Sequence, residues 1–253
     1  MVTIKSKRAL GVIREAGVRL AGLFERLGEV VAPGVSTLAI DQFIERELAL
    51  LSMVSQTKGY RGYRHVSCIS VNQVIVHGVP SAQTLLAPGD LVKVDVCASW
   101  KGYCADMARG FFVEPRKPVA VKLMQVVEGA LQSAIAAAVV AGRLSDISAA
   151  IEKTARENNC AVVEEFCGHG IGRRMHEEPE IPNYGFPGRG ITLVAGMVFA
   201  LEPMVTQHKS DVLVLADGWT ACTSDGGLAA HVEDTVIVTD NGPEVVTRVR
   251  ATS

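Results

Sequence analysis

Four acidic residues and one histidine lie in sequence contexts that are unusual for residues on a protein surface. Asp95 ends the run VKVD, and Asp106 follows after a short interval. Glu202 lies in the segment LEPM and Glu233 in HVEDTVIV, and both segments are strongly apolar. An unpaired charge in such surroundings costs several kcal/mol or is neutralised. His169 has a glycine on each side, and glycine lets the backbone approach a ligand closely.

Together these side chains have the composition of a metal site. Four carboxylates and one imidazole form a hard-to-borderline ligand set without a thiolate. Such a set suits two bridged divalent ions such as Mn, Fe(II), Co or Zn, and the imidazole argues against a purely Mg site. Two ions ~3.5–4 Å apart can activate a water and polarise a carbonyl, which is the chemistry of a metallohydrolase.

The first two acids alone leave an alternative open. Strand alternation puts Asp95 on one face with Lys93 and Cys97. A hairpin that turns at Trp100-Lys-Gly would bring Asp106 beside Asp95, where like charges need a cation or a proton between them. Lys93 could supply that cation. For Asp95 alone, a solvated strand charge is the simplest alternative.

The elements that must position these residues follow from periodicity and turn signals. Helices are predicted at Lys5–Val31, from a cap at Ser36 or Thr37 to Met53, at Lys117–Val140, and from a cap at Ser145 to Asn158. Strands are predicted at 66–76, 91–98, 110–113, 161–166, 197–201, 212–215 and 232–238. The predicted order of elements is therefore helices followed by strands, and this order occurs twice, in an α/β protein.

A short internal repeat supports two similar halves. The segment LAPGDLVKVD, which runs from Leu86 to Asp95, aligns without gaps with LVAGMVFALE, which runs from Leu193 to Glu202. In each copy a glycine turn leads into an apolar strand that ends on a carboxylate. We expect a single catalytic domain over 1–253 built from two such halves.

The amino-acid composition argues against several classes of protein. The chain has 253 residues, 48% of them hydrophobic, with 25 Lys+Arg against 27 Asp+Glu. A nearly neutral chain lacks the cationic surface of a general nucleic-acid or anionic-membrane binder. The longest apolar stretch, Ala134–Ala141, is far shorter than the ~20 residues of a membrane span. Six cysteines without a C-x-x-C pair favour reduced thiols and a cytoplasmic location.

Over essentially its whole length the sequence resembles the type I methionine aminopeptidases of the pita-bread metallopeptidase group, in their compact bacterial form. The motifs that carry the resemblance are SVNQVIVHGVP (70–80), VDV (94–96), ADMAR (105–109), GHGIG (168–172), HEEP (176–179), LEPM (201–204), DGWT (217–220) and VEDTV (232–236). The resemblance implies two pseudo-symmetric halves, with antiparallel sheet flanked by helices.

By the same resemblance, Asp106 and Glu233 bridge two metal ions, Asp95 chelates one of them, and His169 and Glu202 complete the shell of the other. A metal-activated water attacks the first peptide carbonyl, with Glu202 as the proton shuttle.

Two further histidines are implied to be catalytic and to bind substrate. His176 hydrogen-bonds the scissile carbonyl oxygen, and His77 engages the scissile amide or the peptide backbone. Without the resemblance, His77 on an apolar strand end could equally be a core residue.

An apolar pocket for the methionine side chain is implied at Tyr60, Tyr63, Cys68, Met175 and Trp219. Thr57 and Met175 stand where bacterial relatives often carry Cys and an aromatic residue, which leaves the pocket's shape open. For Tyr60 and Tyr63 the alternative is a pair that caps the core. The resemblance also implies a monovalent cation bound by backbone carbonyls, at Asn72, Val74 and Ala229.

The function implied is hydrolytic removal of the initiator methionine from nascent chains whose second residue is small. The interval between Glu202 and Glu233 is too short for the helical insertion of type II enzymes. The alternatives are an X-Pro aminopeptidase of the same fold and a relative that binds RNA or protein without metal. Partners are N-terminal Met peptides and nascent chains, with the ribosome as a further candidate; no membrane or specific nucleic acid is expected, and the chain is expected to be a monomer.

The remaining signals have plainer interpretations. His65 and His208 belong to no partner motif and are predicted to be surface residues, while His231 shares a strand face with Glu233 and could support the metal shell. The segment Pro179–Gly190 is predicted to be a surface loop at the rim of the cleft.

Overall fold

The protein is described by a computed structural model that covers residues 2–209 and 211–248, so the ends of the predicted domain, residue 1 and residues 249–253, lie outside it. The helices are α1 Lys7–Leu27, α2 Thr37–Leu50, α3 Pro118–Ala137 and α4 Leu144–Glu157. The strands of the first half are β1 Val54–Ser55, β2 Cys68–Val71, β3 Val74–Val76, β4 Leu91–Trp100 and β5 Tyr103–Phe112. Those of the second half are β6 Ala161–Val162, β7 Cys167–Gly170, β8 Glu177–Pro182, β9 Val198–Leu201, β10 Met204–Thr206, β11 Val212–Val214, β12 Ala221–Thr223, β13 Ala229–His231, β14 Asp234–Thr239 and β15 Gly242–Val245.

The strands form antiparallel sheets. In the first half the long strand β4 pairs with β5 on one side and with β1 and β2 on the other. The largest sheet of the second half has the order β15-β14-β9-β7-β8. Smaller sheets join β13-β10-β6 and β11-β12-β3, and the second of these combines strands from both halves.

The predicted order of helices then strands, twice, is confirmed, with shifted boundaries. Helix α1 begins at Lys7 because the Ser6 side chain accepts a hydrogen bond from the Ala9 backbone N–H at 3.3 Å. Ser36 caps α2 as predicted, accepting from the Ala39 N–H at 3.1 Å.

The predicted strand 66–76 is divided in two by a turn. Asn72 adopts φ 51°, a left-handed conformation that asparagine tolerates better than most residues. Its side-chain oxygen accepts from the Leu91 N–H at 3.0 Å, and its side-chain nitrogen donates to Asp90 Oδ1 at 2.7 Å. The turn therefore separates β2 from β3 and ties both to the start of β4.

The prediction that Ser145 caps the fourth helix is wrong. Arg143 is the N-cap residue, and Asp146 in the first turn accepts from its backbone N–H at 2.7 Å. Ser145 instead exchanges hydrogen bonds with the backbone of Arg189, at 2.7 and 2.9 Å.

With that correction the structure extends the internal repeat. Helices α2 and α4 are equal in length and are separated by the same offset as the two copies of the repeat, and β1 and β6 have that offset as well. Isolated bridges join 36 to 85 and 143 to 192, again in matching positions. The two turn glycines, Gly89 and Gly196, adopt left-handed φ values of 89° and 92°. The similarity of the halves is thus present in backbone geometry as well as in sequence.

Each half has its own core. One apolar cluster lies under α1 and α2 and the other under α3 and α4. Helix α3 is long and apolar enough to cross a membrane by length and composition, which differs from the expectation of no such segment. Half of its most apolar window is buried in this fold, as in the core helix of a globular protein.

Candidate metal centre

The first two acids lie on the β4–β5 hairpin. In its register Asp95 pairs with Ala108 and Cys97 with Asp106, so the two carboxylates share one face as diagonal neighbours. The backbone N–H of Asp106 donates to Thr235 Oγ1 at 2.9 Å, which fixes this strand to the second half. The predicted hairpin is confirmed, and it holds both acids at a buried surface.

The second half supplies the other residues to the same place. The backbone of Glu233 exchanges two hydrogen bonds with Ala108, at 3.0 and 3.3 Å. His169 in β7 pairs with Ala200 in β9, and Glu202 follows that strand directly. Consequently the Nε2 atom of His169 lies 3.3 Å from Oε1 of Glu202.

The donor atoms are arranged as a cation would require. Ligand atoms of Asp106, His169 and Glu233 lie within 4.8 Å of one another, and so do those of Glu202, His231 and Glu233. Glu233 Oε1 and His231 Nε2 are buried and have no hydrogen-bond partner among the described residues. Buried polar atoms of this kind need a partner, and a divalent ion supplies one to each.

The pKa values of the acids in the absence of metal also favour a cation site. Burial first, and the charges of neighbouring carboxylates second, raise the pKa of three carboxyls well above the usual range: Asp95, Glu202 and Glu233. Burial raises the pKa of Asp106 only to about 6, because hydrogen bonds from the Cys97 thiol and the Met107 N–H stabilise its charge. A divalent ion reverses this balance by stabilising all the carboxylates at once.

The imidazoles in the centre are neutral. Burial, with a smaller contribution from His176, lowers the pKa of His169 to about 3. Its Nδ1 lies 2.9 Å from the Gly170 carbonyl oxygen, which makes Nδ1 the protonated nitrogen and leaves the Nε2 lone pair facing the acids. Burial likewise lowers the pKa of His231 to about 3.

A cleft of about 840 Å³ opens onto the centre. His176 lies in it, with its ring 4.5 Å from the ring of His169 and its Nδ1 3.0 Å from the Tyr60 hydroxyl. Burial, and then the charge of Arg61, lower the pKa of His176. If the Tyr60 hydroxyl donates to Nδ1, the proton of the neutral imidazole is on Nε2, which is then a hydrogen-bond donor.

The loop that carries His176 is anchored from the N-terminal segment. The carboxylate of Glu177 accepts hydrogen bonds from Thr3 Oγ1 at 2.7 Å and Lys5 Nζ at 2.8 Å. Its other oxygen accepts from the backbone N–H groups of Arg173 and Arg174, at 2.9 and 3.3 Å. Four donors on one side chain therefore fix the position of its neighbour, His176.

His77 lies in the cleft with an uncommon backbone. Its φ is 57°, a strained value for a non-glycine residue that is found most often at functional sites. The centroid of its ring lies 5.1 Å from that of the Phe166 ring. Burial, and to a smaller extent the charge of His176, lower the pKa of His77 to about 4. A Cβ on the next residue, Gly78, would lie 2.2 Å from the Ile69 carbonyl oxygen, so the chain needs glycine there.

The side chains assigned to the methionine pocket line the same cleft: Thr57, Tyr60, Tyr63, Cys68, Met175 and Trp219. Tyr63 is 4% exposed, donates from its hydroxyl to the Ser67 carbonyl at 3.0 Å, and packs against Trp219 at 5.0 Å. Burial raises the pKa of the Cys68 thiol, so this wall is uncharged.

The family profile described as "Metallopeptidase family M24" matches residues 11–240. The chain belongs to this family.

Similar proteins within the family are methionine aminopeptidases. "Methionine aminopeptidase A" of Synechocystis is 40% identical over 97% of both chains, and "Methionine aminopeptidase 1" of Bacillus subtilis is 40% identical over 98% of this chain and all of that one. The crystal structure of the Thermotoga maritima methionine aminopeptidase has a TM-score of 0.96 at 36% identity, over 98% of this chain and all of that one. The chain is thus a metal-dependent peptidase with the pita-bread fold, as the sequence resemblance implied.

The likeness in fold extends to more distant solved structures. A prolidase from Pyrococcus furiosus has a TM-score of 0.75 at 21% identity, and the match covers 66% of that chain. At this identity the likeness shows the fold alone.

Several expectations about individual residues are corrected. Lys93 does not lie between Asp95 and Asp106; its Nζ donates to the Asn72 carbonyl at 2.8 Å. His65 is half-buried rather than a free surface residue, with its Nδ1 2.9 Å from the Asp41 carboxylate. His208 is exposed, as expected.

The segment after His176 also differs from the prediction. Its first residues form strand β8 instead of a loop. The rest packs on α4, where the Gly185 N–H donates to Glu152 at 2.9 Å and the Gly188 N–H to Asp146 at 2.7 Å.

Three supporting contacts escaped the sequence analysis. They are the Glu177 anchor, the Cys97 thiol on Asp106, and Asp41, whose carboxylate accepts hydrogen bonds from the backbone of Val66 and Ser67 at 3.1 and 3.0 Å. The HEEP motif placed Glu177 beside a site residue. Its partners Thr3 and Lys5 lie near the start of the chain, and no local signal connects them with it.

Proposed function

We propose that this chain is a methionine aminopeptidase that removes the initiator methionine from peptides and nascent proteins whose second residue is small. The observation that carries the proposal is that five potential ligands from both halves line one cleft, whose walls also carry aromatic and other apolar side chains. Relatives of about 40% identity over nearly the whole chain support the same activity.

In this proposal Asp95, Asp106, His169, Glu202 and Glu233 hold two divalent ions. When bound, the ions supply the polarisation of the substrate carbonyl and the activation of water. The ligand chemistry accepts Co, Mn, Fe(II) or Zn.

The chain's own residues perform the remaining steps. Glu202 accepts the proton of the attacking water and passes it to the leaving amide nitrogen. His176 donates from Nε2 to the carbonyl oxygen as negative charge develops there, held in this tautomer by Tyr60. His77, neutral at pH 7, contacts the scissile amide and fixes the peptide backbone.

Specificity arises from the cleft walls. The methionine side chain packs against Tyr60, Tyr63, Cys68 and Trp219, and its flexible thioether suits such an aromatic-lined pocket. Met175 takes the place of an aromatic wall and makes the pocket more adaptable, since its own side chain is unbranched.

We further propose that the enzyme works as a monomer in the cytoplasm on chains emerging from the ribosome. All the proposed ligands come from one chain, which supports a complete site in the monomer. The six cysteines are unpaired, as expected in a reducing compartment.

The experiment uses chelated protein reconstituted with Co(II) or Mn(II). Release of methionine from Met-Ala-Ser but not from Met-Leu-Ser is the expected result. Cleavage of an Ala-Pro peptide instead would select the proline-directed alternative, and tight RNA binding without metal would select a non-catalytic one. The variant His169→Ala is expected to lower metal occupancy and turnover together, whereas His208→Ala, at an exposed histidine, is the matched control and should change neither.

A further inference from the structure

Lys93 is among the largest side chains that are almost completely buried in the described part of the chain, with 1% of its surface exposed. Burying a lysine is unfavourable unless its nitrogen finds partners. It lies on β4, two residues before Asp95, yet its nitrogen turns away from the metal centre to the Asn72 carbonyl oxygen, 2.8 Å away. The side chain therefore stabilises the turn at Asn72 and does not contact the metal centre.

That place is where resemblance puts a monovalent cation. The backbone N–H of Ala229 also donates to the Asn72 carbonyl, at 3.2 Å, and Val74 begins the strand that follows the turn. The residues implied as carbonyl ligands do come together. The Asn72 carbonyl is not open to an ion, however, because a carbonyl oxygen has two lone pairs and both are used here by Lys93 and Ala229.

We infer that the side-chain nitrogen of Lys93 takes the position of the monovalent cation, so that this enzyme folds and works without one. The nitrogen joins the turn at Asn72 to β4, and through the shared carbonyl to β13, the strand that leads to His231 and Glu233. A bound ion would hold the same segments together by attracting several carbonyls. A covalently attached donor does so without depending on the ion concentration.

The contact does not depend on the charge of the lysine. Both the ammonium and the amine carry N–H groups that can donate to the Asn72 carbonyl. Asp90 lies close by, because it accepts from the Asn72 side chain at 2.7 Å, and its negative charge favours a cationic group in this region.

The first test uses the wild-type metal-loaded enzyme. Thermal unfolding is compared in KCl, NaCl and choline chloride at a matched concentration of about 0.1 M, so that ionic strength is constant. The melting temperature is expected to be the same in all three salts, and thallium NMR is expected to show no bound ion. A saturable rise with K⁺ or Na⁺, or a bound thallium signal, would overturn the inference.

The second test frees the carbonyl with Lys93→Ala, which removes the donors and leaves open space beside the carbonyl oxygen. In choline chloride this variant is expected to melt at least about 2–4 °C lower than wild type. KCl, NaCl or methylammonium chloride should restore at least half of that loss, since each supplies a small cation to the vacated carbonyl. Lys122→Ala, at an exposed position on α3, is the control and should show no dependence on the salt.

The two tests separate the outcomes. A Lys93→Ala variant that melts like wild type, or one whose loss no cation restores, would show that Lys93 does not stand in for an ion. If the variant fails to fold in every salt, the wild-type thallium measurement still decides the matter. Because the readouts are melting temperature and ion binding, the result stands apart from whether the enzyme cleaves methionine.

Discussion

Replacement of Glu177 by glutamine tests whether a charged anchor holds the loop of His176. The change keeps the shape of the side chain and removes its charge, while leaving Thr3, Lys5 and two backbone N–H groups around it. Burial alone would raise the pKa of Glu177, but hydrogen bonds from Lys5, Thr3 and the Arg174 N–H outweigh it and lower the pKa to about 2.

The size of the effect follows from that pKa. A value of about 2 against the ordinary 4.5 corresponds to about 3 kcal/mol of stability in full. Screening by solvent at a site near the surface reduces this to about 1.5–2 kcal/mol. Because the pKa is lower in the folded state, this stability is present above about pH 4.5 and is lost as the pH falls towards 2.

The assay is urea unfolding of wild type and Glu177→Gln, both chelated, at pH values from 7 down to about 3. The variant is expected to be about 1.5–2 kcal/mol less stable at neutral pH, with the difference shrinking below pH 4.5. Glu157→Gln, at an exposed acid, is the control and should change stability by less than about 0.5 kcal/mol. A difference for Glu177→Gln that stays constant with pH would refute the charged anchor.

Two further changes test the metal centre and its frame. Glu233→Gln is expected to abolish metal binding and activity, yet to raise the melting temperature of the chelated protein by about 2–4 °C for each kcal/mol gained, because it removes a carboxyl whose ionisation is opposed first by burial and then by neighbouring acids; a lower melting temperature would contradict this. Gly170→Ala is expected to destabilise by about 3 kcal/mol or more in urea unfolding, since a Cβ there would lie 2.2 Å from the Glu178 carbonyl oxygen. Gly11→Ala, with open space around it on α1, is its control and should stabilise by up to about 1 kcal/mol; equal effects would refute the steric argument.

Much of the centre could be predicted because its residues obey local rules. Strand alternation was enough to place Asp95 and Asp106 on one face of a hairpin, and the internal repeat connected Asp95 with Glu202. These inferences need only the period of a strand and the direction in which the chain turns. The same rules gave the order of helices and strands in both halves.

The wrong predictions concern positions where the reach of a long side chain, or a partner distant in sequence, determines the contact. Alternation correctly put Lys93 on the face of Asp95, but four methylene groups let its nitrogen reach the turn at Asn72 instead. Arg143 caps a helix although arginine has no preference for that position, because Asp146 satisfies its backbone N–H. His65 contacts Asp41, which is distant in sequence, and no local pattern predicts such a contact.

The backbone bridge between Ala108 and Glu233 has a consequence for how the enzyme is made. Asp106 and Glu233 lie in opposite halves of the chain, so a ribosome releases the first acid long before the last. Until the segment near Glu233 has emerged, the hairpin lacks these two backbone hydrogen bonds and the proposed ligand set is incomplete. Under the proposed ligand set, the complete metal site can therefore form only after residue 233 has been synthesised, and a chain truncated before that residue lacks one of the proposed ligands.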